Sequence, residues 1–263
     1  GRGAMGVVYE AYDPLIERAV ALKTIRREAL QGAHATEILA RFRREAQAAG
    51  RLTHPNIVAI YDFGEDAGVW YIAMELVKGK ELKAYFEANQ RFATADIVRL
   101  ERQILAALGY AHKLGVVHRD VKPANMMLSG DGRLRLTDFG IARIADSKRL
   151  TRTGDIVGTI TYMSPEQIRG QPGDARSDLY SCGVILYKML TGESPFVSDT
   201  AWGLLMKHMN EAPPPKGDFS STAALGIALR GQSYRRELRQ SDLPDCSPPE
   251  RRRRGHWAAC PGS

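Results

Sequence analysis

"HRDVKPAN", residues His118–Asn125, sets a histidine, an arginine, an aspartate, a lysine and an asparagine within eight positions, between the apolar pairs Val116-Val117 and Met126-Met127. Polar groups crowded against buried chain are costly unless each has a partner or a task. Upstream, "TADIVRLERQILAALGYAHKLG" (94–115) repeats apolar residues at 97, 100, 104, 105 and 108. That spacing predicts a helix with Thr94 as its N-cap and Gly115 as its stop. Downstream, "NMML" reads as a strand, and "LTDFG" (136–140) puts Asp138 at the end of another short apolar run. The octet is therefore an irregular loop on a rigid base, with Asp120 and Asn125 five residues apart on it.

The flanking chain divides in two. "VVYEAYD" (7–13) and "RAVALKTI" (18–25) are β-branched and aromatic-rich and predict a hairpin around Pro14. "TEILARFRREAQAAG" (36–50) predicts a helix closed by Gly50, and "NIVAIYDFG" (56–64) and "VWYIAMELV" (69–77) predict two strands separated by "EDAG". After Gly79 helical periods dominate, and "SDLYSCGVILYKMLTG" (177–192) is apolar nearly all round, as in a helix buried within a domain. The expected class is α+β: a small strand-rich lobe over 1–77, a hinge near 75–80, and a larger helical lobe over 78–215. From Lys216 the chain turns to Arg, Pro, Ser and Gly without period, so residues 216–263 are expected to be poorly ordered.

Composition narrows the function classes. The chain has 263 residues, 44% hydrophobic and 25% charged, and no apolar run long enough for a membrane span. A cytoplasmic setting is the default. Its three cysteines (Cys182, Cys246, Cys260) form neither an even disulfide framework nor a CxxC pair. Of the net charge of +7, residues 216–263 carry +4, from nine basic and five acidic side chains, leaving +3 for the body. "RRRR" (251–254) is read as a solvated charge run, and no nucleic-acid partner is expected.

The chemistry lies in the body. Gly1, Gly3 and Gly6 are spaced GxGxxG, and glycines let backbone N–H groups approach phosphates closely. A strand follows them where a dinucleotide-binding unit would have a helix, so that reading fails. Lys23, in "VALK", needs a buried carboxylate partner to be more than a strand lysine, and Glu45 in "RREAQ" is a candidate. A hard Mg²⁺ ion takes oxygen ligands, commonly one or two carboxylates plus substrate phosphates. Asp138 and Asn125 suit that need; Asp120 is then free to accept a hydroxyl proton, and Lys122 to neutralise charge on a phosphoryl group.

Taken in order, the glycine loop (1–8), Lys23, Glu45, "HRDVKPAN", "DFG" (138–140) and "SPE" (164–166) resemble the motif set of the eukaryotic-like protein kinases, most closely the bacterial Ser/Thr kinases, over about residues 1–215. The resemblance implies a bilobal protein-kinase-like fold and transfer of the γ-phosphate of ATP to protein Ser/Thr hydroxyls, with Mg²⁺ or Mn²⁺. It implies that Lys23 holds the α/β-phosphates and pairs with Glu45, that Asp138 and Asn125 bind metal, and that Asp120 orients the acceptor hydroxyl. Gly1, Gly3 and Gly6 would cover the phosphates. Adenine would pack on Val8, Ala21 and Met127 and bond the backbone at Glu75 and Val77, with Met74 as gatekeeper and Glu81 at the ribose. Asp178 resembles the aspartate that anchors the HRD backbone; read on its own it is a helix N-cap. Lys122, and Thr159 contacting Asp120 and Lys122, resemble the Ser/Thr pattern. Arg119 with Thr151 and Thr153 implies activation-loop autophosphorylation, with self-association in trans.

Both ends depart from the family. The chain opens at the first glycine of the loop, so the strand leading into it is expected to be absent and the start truncated. After about residue 215 no arginine partner for Glu166 is evident, and a frame-shifted or truncated reading is expected. A catalytically silent, kinase-derived binding module therefore stands as the alternative to an active enzyme. The protein substrate is not legible.

Overall fold

The computed structural model describes residues 2–3, 6–25, 43, 46–139 and 160–215. Gly1, Glu45, Thr151, Thr153, Thr159, most of the helix expected at 36–50 and the whole of 216–263 lie outside the described residues. The described residues all belong to one compact unit, Gly1–Gly231; a second unit, Gln232–Ser263, lies outside them.

The first sheet has five antiparallel strands: β1 (Arg2–Gly3), β2 (Gly6–Asp13), β3 (Arg18–Ile25), β4 (Ile60–Asp66) and β5 (Val69–Glu75), in the order β1-β2-β3-β5-β4. The expected hairpin is present: β2 and β3 pair from Gly6↔Ile25 to Asp13↔Arg18, and the Leu15 amide donates to Asp13 Oδ1 at 3.1 Å in the turn. Within the glycine loop itself Arg2 pairs with Val7 and Gly3 with Gly6, which makes the loop a tight hairpin.

Two strand boundaries differ from the sequence reading. Glu65 and Asp66 continue β4 opposite Trp70 and Val69, so the turn is only Ala67-Gly68, both at positive φ (46° and 74°). Such a two-residue connection matches the twist of the paired strands. At the other end, β4 begins at Ile60. Residues 56–58 run along the second sheet, the Val58 amide donating to Leu136 O (2.9 Å) and the Leu136 amide to Asn56 O (2.8 Å). Hydrogen-bond demand decides this, since an apolar run alone does not say which partner it will pair with.

That second sheet comprises β6 (Gly79–Glu81), β7 (Met126–Ser129) and β8 (Leu134–Leu136), in the order β6-β7-β8. The helices are α1 (Leu82–Glu87), α2 (Thr94–Lys113), α3 (Pro165–Ile168), α4 (Ala175–Thr191) and α5 (Ala201–Asn210). In α2, Ile97, Leu100, Ile104 and Leu108 are buried as the period requires, but Leu105 is exposed. Thr94 is the first helical residue and Ala93 the N-cap, without a side-chain cap. α4 is capped by Asp174, whose side chain accepts from the Arg176 amide, so the N-cap reading of Asp178 is wrong. Gly192 closes α4 at φ 78°, in the left-handed region that favours glycine.

Two main apolar cores result. Ala21, Ala46, Val58, Ile72 and Met74 fill the first, under the five-stranded sheet. The larger joins α2, α4 and the second sheet, and takes in Ala49, Leu52 and Ile57 from the chain before β4. Among the described residues no helix is long and apolar enough to cross a membrane.

Candidate active site

The octet occupies the connection from α2 to β7. It ends in a single 3-10 turn, Pro123–Asn125, with the proline at its start, where a missing N–H costs nothing. Asn125 is buried and spends its amide nitrogen on Asp120, donating to the backbone O at 2.8 Å and to Oδ2 at 3.0 Å. Lys122 Nζ lies 2.9 Å from the same Oδ2. The Asp120 carboxylate is thus held by a cation and an amide from its own loop. With Nδ2 so used, Oδ1 is what Asn125 can offer a cation.

The backbone beneath Asp120 is anchored from α4. Asp178, fully buried, accepts the Arg119 amide on Oδ1 (2.7 Å) and the His118 amide on Oδ2 (2.9 Å), while His112 Nε2, from the last turn of α2, donates to Oδ2 at 2.7 Å. A carboxylate out of water is tolerable with three such donors. Arg119 sits at φ 64°, a conformation that a non-glycine residue keeps only where its surroundings over-determine it. His118 Nδ1 accepts the Asp120 amide (3.3 Å), which makes its other nitrogen the donor to the Thr137 carbonyl at 3.0 Å. Phe139 packs on that ring, centroids 4.5 Å apart. The octet and the DFG strand end are one hydrogen-bonded body.

Lys23 comes from β3 in the first sheet, where it stands opposite Val8 and Ile72; Ala21, two residues earlier on the same face, stands opposite Met74. Val8, Ala21, Lys23 and Met74 therefore share a face, because cross-strand partners and residues two apart point the same way. Lys23 Nζ reaches Asp138 Oδ1 at 2.5 Å, bridging 115 residues of sequence. The expected partner, Glu45, is outside the described residues. Met127 lies on β7 opposite Glu81, which is exposed. The Glu75 amide is spent on the Ala59 carbonyl (2.9 Å), so Glu75 has its carbonyl to offer, and its side chain pairs with Arg135 on β8 at 3.1 Å. Val77 follows, half-buried.

Asp138 and Asn125 supply hard oxygen donors of the kind a small divalent cation takes. Among the described residues no group of three or more His, Cys, Asp or Glu is assembled.

The same order of motifs is found in known proteins. A model of the protein kinase domain matches residues 1–224. The chain belongs to the protein kinase family. The kinase match runs some nine residues beyond the resemblance read from the motifs. Relatives include a probable serine/threonine-protein kinase of Clostridium acetobutylicum, 41% identical over 86% of this chain and 34% of its own length, and the serine/threonine-protein kinase PrkC of Bacillus subtilis, 41% identical over 81% and 33%. A probable serine/threonine-protein kinase of Streptomyces coelicolor is 45% identical over 83% of this chain and 33% of its own. The chain spans about a third of the length of these curated kinase relatives.

Glu166 is half-buried, and Ser177 Oγ donates to its Oε1; the stretch after residue 215, where an arginine partner would stand, lies outside the described residues. The neighbouring Arg176 guanidinium, raised first by its bonds to Asp174, is raised further by the Glu166 charge. The motif reading missed His112, the third donor to Asp178. A histidine in a last helical turn six residues before His118 is a weak signal, because its partner lies 66 residues away.

Proposed function

We propose that this chain transfers the γ-phosphoryl group of ATP to serine and threonine hydroxyls of proteins. The Lys23–Asp138 ion pair carries the reading, since it brings the glycine-loop sheet and the DFG segment to one point beside the Asp120 loop. Lys23 Nζ binds the α/β-phosphates, and Gly3 and Gly6 in the β1–β2 connection leave room for them. The face formed by Val8, Ala21 and Met74, with Met127 across the cleft, takes the adenine. The Glu75 carbonyl and the Val77 amide bond its edge, and Glu81 takes the ribose.

Asn125 Oδ1 and the Asp138 carboxylate would hold Mg²⁺ or Mn²⁺, which when bound supplies charge neutralisation at the phosphates. Asp120, its Oδ2 fixed by Lys122 and Asn125, keeps Oδ1 for the acceptor hydroxyl and takes its proton as the new bond to the γ-phosphorus forms and the bond to the β,γ-bridging oxygen breaks, ADP leaving. Lys122 stands where it can neutralise charge on the group in transfer, with Thr159 beside it as in Ser/Thr kinases. Glu45 would complete the Lys23 pairing. Thr151 and Thr153 are the proposed autophosphorylation sites, read by Arg119 and reached through self-association in a cytoplasmic setting. The lobes are proposed to span 1–77 and 78–215, with 216–263 outside the catalytic body.

The test is radiolabelled phosphate transfer from Mg-ATP to dephosphorylated casein, with Asp120→Asn alongside. Transfer by the wild type and its loss in the variant is the expected result. Wild-type chain that binds Mg-ATP without transferring phosphate would instead favour the silent binding module.

A further inference from the structure

The carboxylate of Asp120 is held by its neighbours, but the peptide that carries it is held from elsewhere. The Arg119–Asp120 peptide has one N–H, which makes a long 3.3 Å bond to His118 Nδ1, and one carbonyl, which accepts Gln167 Nε2 at 2.8 Å. Of these two contacts the second is the shorter, and it comes from α3, 48 residues away. Arg119 itself, at φ 64°, is thus clamped on both sides: Asp178 takes its amide and Gln167 its carbonyl.

Gln167 is held in turn. Its Oε1 accepts the Ser164 amide at 3.1 Å and lies 3.2 Å from Ser164 Oγ, and Ser164 is fully buried. Gly173, at φ 52°, passes so close that a Cβ there would stand 3.1 Å from Gln167 Cγ. With the acceptor oxygen tied to Ser164 and the stem close to the 173 turn, the amide nitrogen is turned toward Arg119, to whose carbonyl it donates.

We infer that Gln167 is a positioning residue for phosphoryl transfer. Through the Arg119 carbonyl it fixes the plane of the peptide that sets the direction of Asp120, coupling the SPE helix to the catalytic loop. This rests on the kinase reading above, and deepens it. A peptide free to rock by a few tens of degrees moves the carboxylate by an ångström or so, enough to cost a large factor in rate without loosening ATP.

Two substitutions separate the halves of the contact. Gln167→Glu keeps the acceptor for Ser164 but replaces the donor with a carboxylate oxygen facing a carbonyl. Gln167→Lys keeps a donor for Arg119 but loses the acceptor. With casein and Mg-ATP, Gln167→Glu is expected to lower kcat by about tenfold, the scale of one oriented hydrogen bond, with KM for ATP within about twofold and the melting midpoint little changed. Gln167→Lys is expected to recover most of the kcat while melting lower. Wild-type kcat in Gln167→Glu overturns the inference, as does an equal loss in both variants or a kcat loss matched by a loss of ATP affinity. If the wild type transfers no phosphate, the kinase reading fails first and the positioning role with it.

Discussion

Each polar residue of the octet answers to a named partner. Asp120 is bonded by Lys122 and Asn125, His118 bridges its own loop to Thr137, and Arg119 gives its backbone to Asp178 and Gln167. Asp120→Asn keeps the shape but loses the proton acceptor, so kcat is expected to fall by at least about a hundredfold while the thermal shift produced by Mg-ATP persists. Asp138→Ala removes both a metal oxygen and the partner of Lys23. Wild type at a hundred times its Kd for Mg-ATP should gain about 2.7 kcal/mol, and the variant almost none at the same concentration, read by differential scanning fluorimetry. Residue types in the motif order were enough to propose Lys23, Asp120, Asn125 and Asp138. They could not say that Lys23 meets Asp138 at 2.5 Å, because that depends on how β3 and the chain after β8 converge.

The helices show which of two aspartates caps and which anchors. Asp174 caps α4 from an exposed position, whereas Asp178, one turn in, is fully buried with three donors on it. Asp174→Ala is expected to cost about 1 kcal/mol in urea unfolding. Asp178→Ala strands two backbone amides and a histidine and should cost about 3 kcal/mol or more. Similar losses would show that Asp178 is only part of the cap. At Gly79 on β6, a Cβ would run into the Leu128 carbonyl of β7, so Gly79→Ala should cost about 2 kcal/mol by prising the two strands apart. Strand and helix existence was legible from periodicity, since period-2 and period-3.6 patterns differ strongly. The run 56–58 was not, because an apolar stretch can bond either to β5 or to β8 and only the assembled sheets choose.

For the whole molecule, two buried titrating groups shape stability against pH. Burial pushes Glu101, on α2, up to about 8, and its Oε2 has no hydrogen-bond partner among the described residues. An acid raised on folding costs nothing while both states are protonated; the cost grows as pH rises from about 4.5, where the unfolded group ionises, to about 8. Burial lowers His208, on α5, to about 4, with Tyr180 Oη 2.8 Å from its Nδ1. A base lowered on folding is fully tolerated above about 6.5 and costs stability as pH falls toward 4. Stability should therefore peak near pH 5.5 and decline toward pH 8. Glu101→Gln should remove the alkaline decline, gaining about 4 kcal/mol at pH 8 and well under about 1 kcal/mol at pH 4.5, in urea titrations at each pH. A pH-independent gain would mean that Glu101 is ionised in the fold.

What the amino-acid order determined by itself was local or motif-borne: the α+β class, the β2–β3 hairpin, the two long helices, and the residues that meet at the site. These follow from side-chain period and from spacings of a few residues, which a chain carries before it folds. The tertiary structure decided the rest. It gave Glu166 to Ser177, His112 to Asp178, residues 56–58 to β8 and the Arg119 carbonyl to Gln167. Each of these is a buried or half-buried polar group that must be paired. Its partner is whatever donor or acceptor packing brings within about 3 Å, and sequence distance does not encode that.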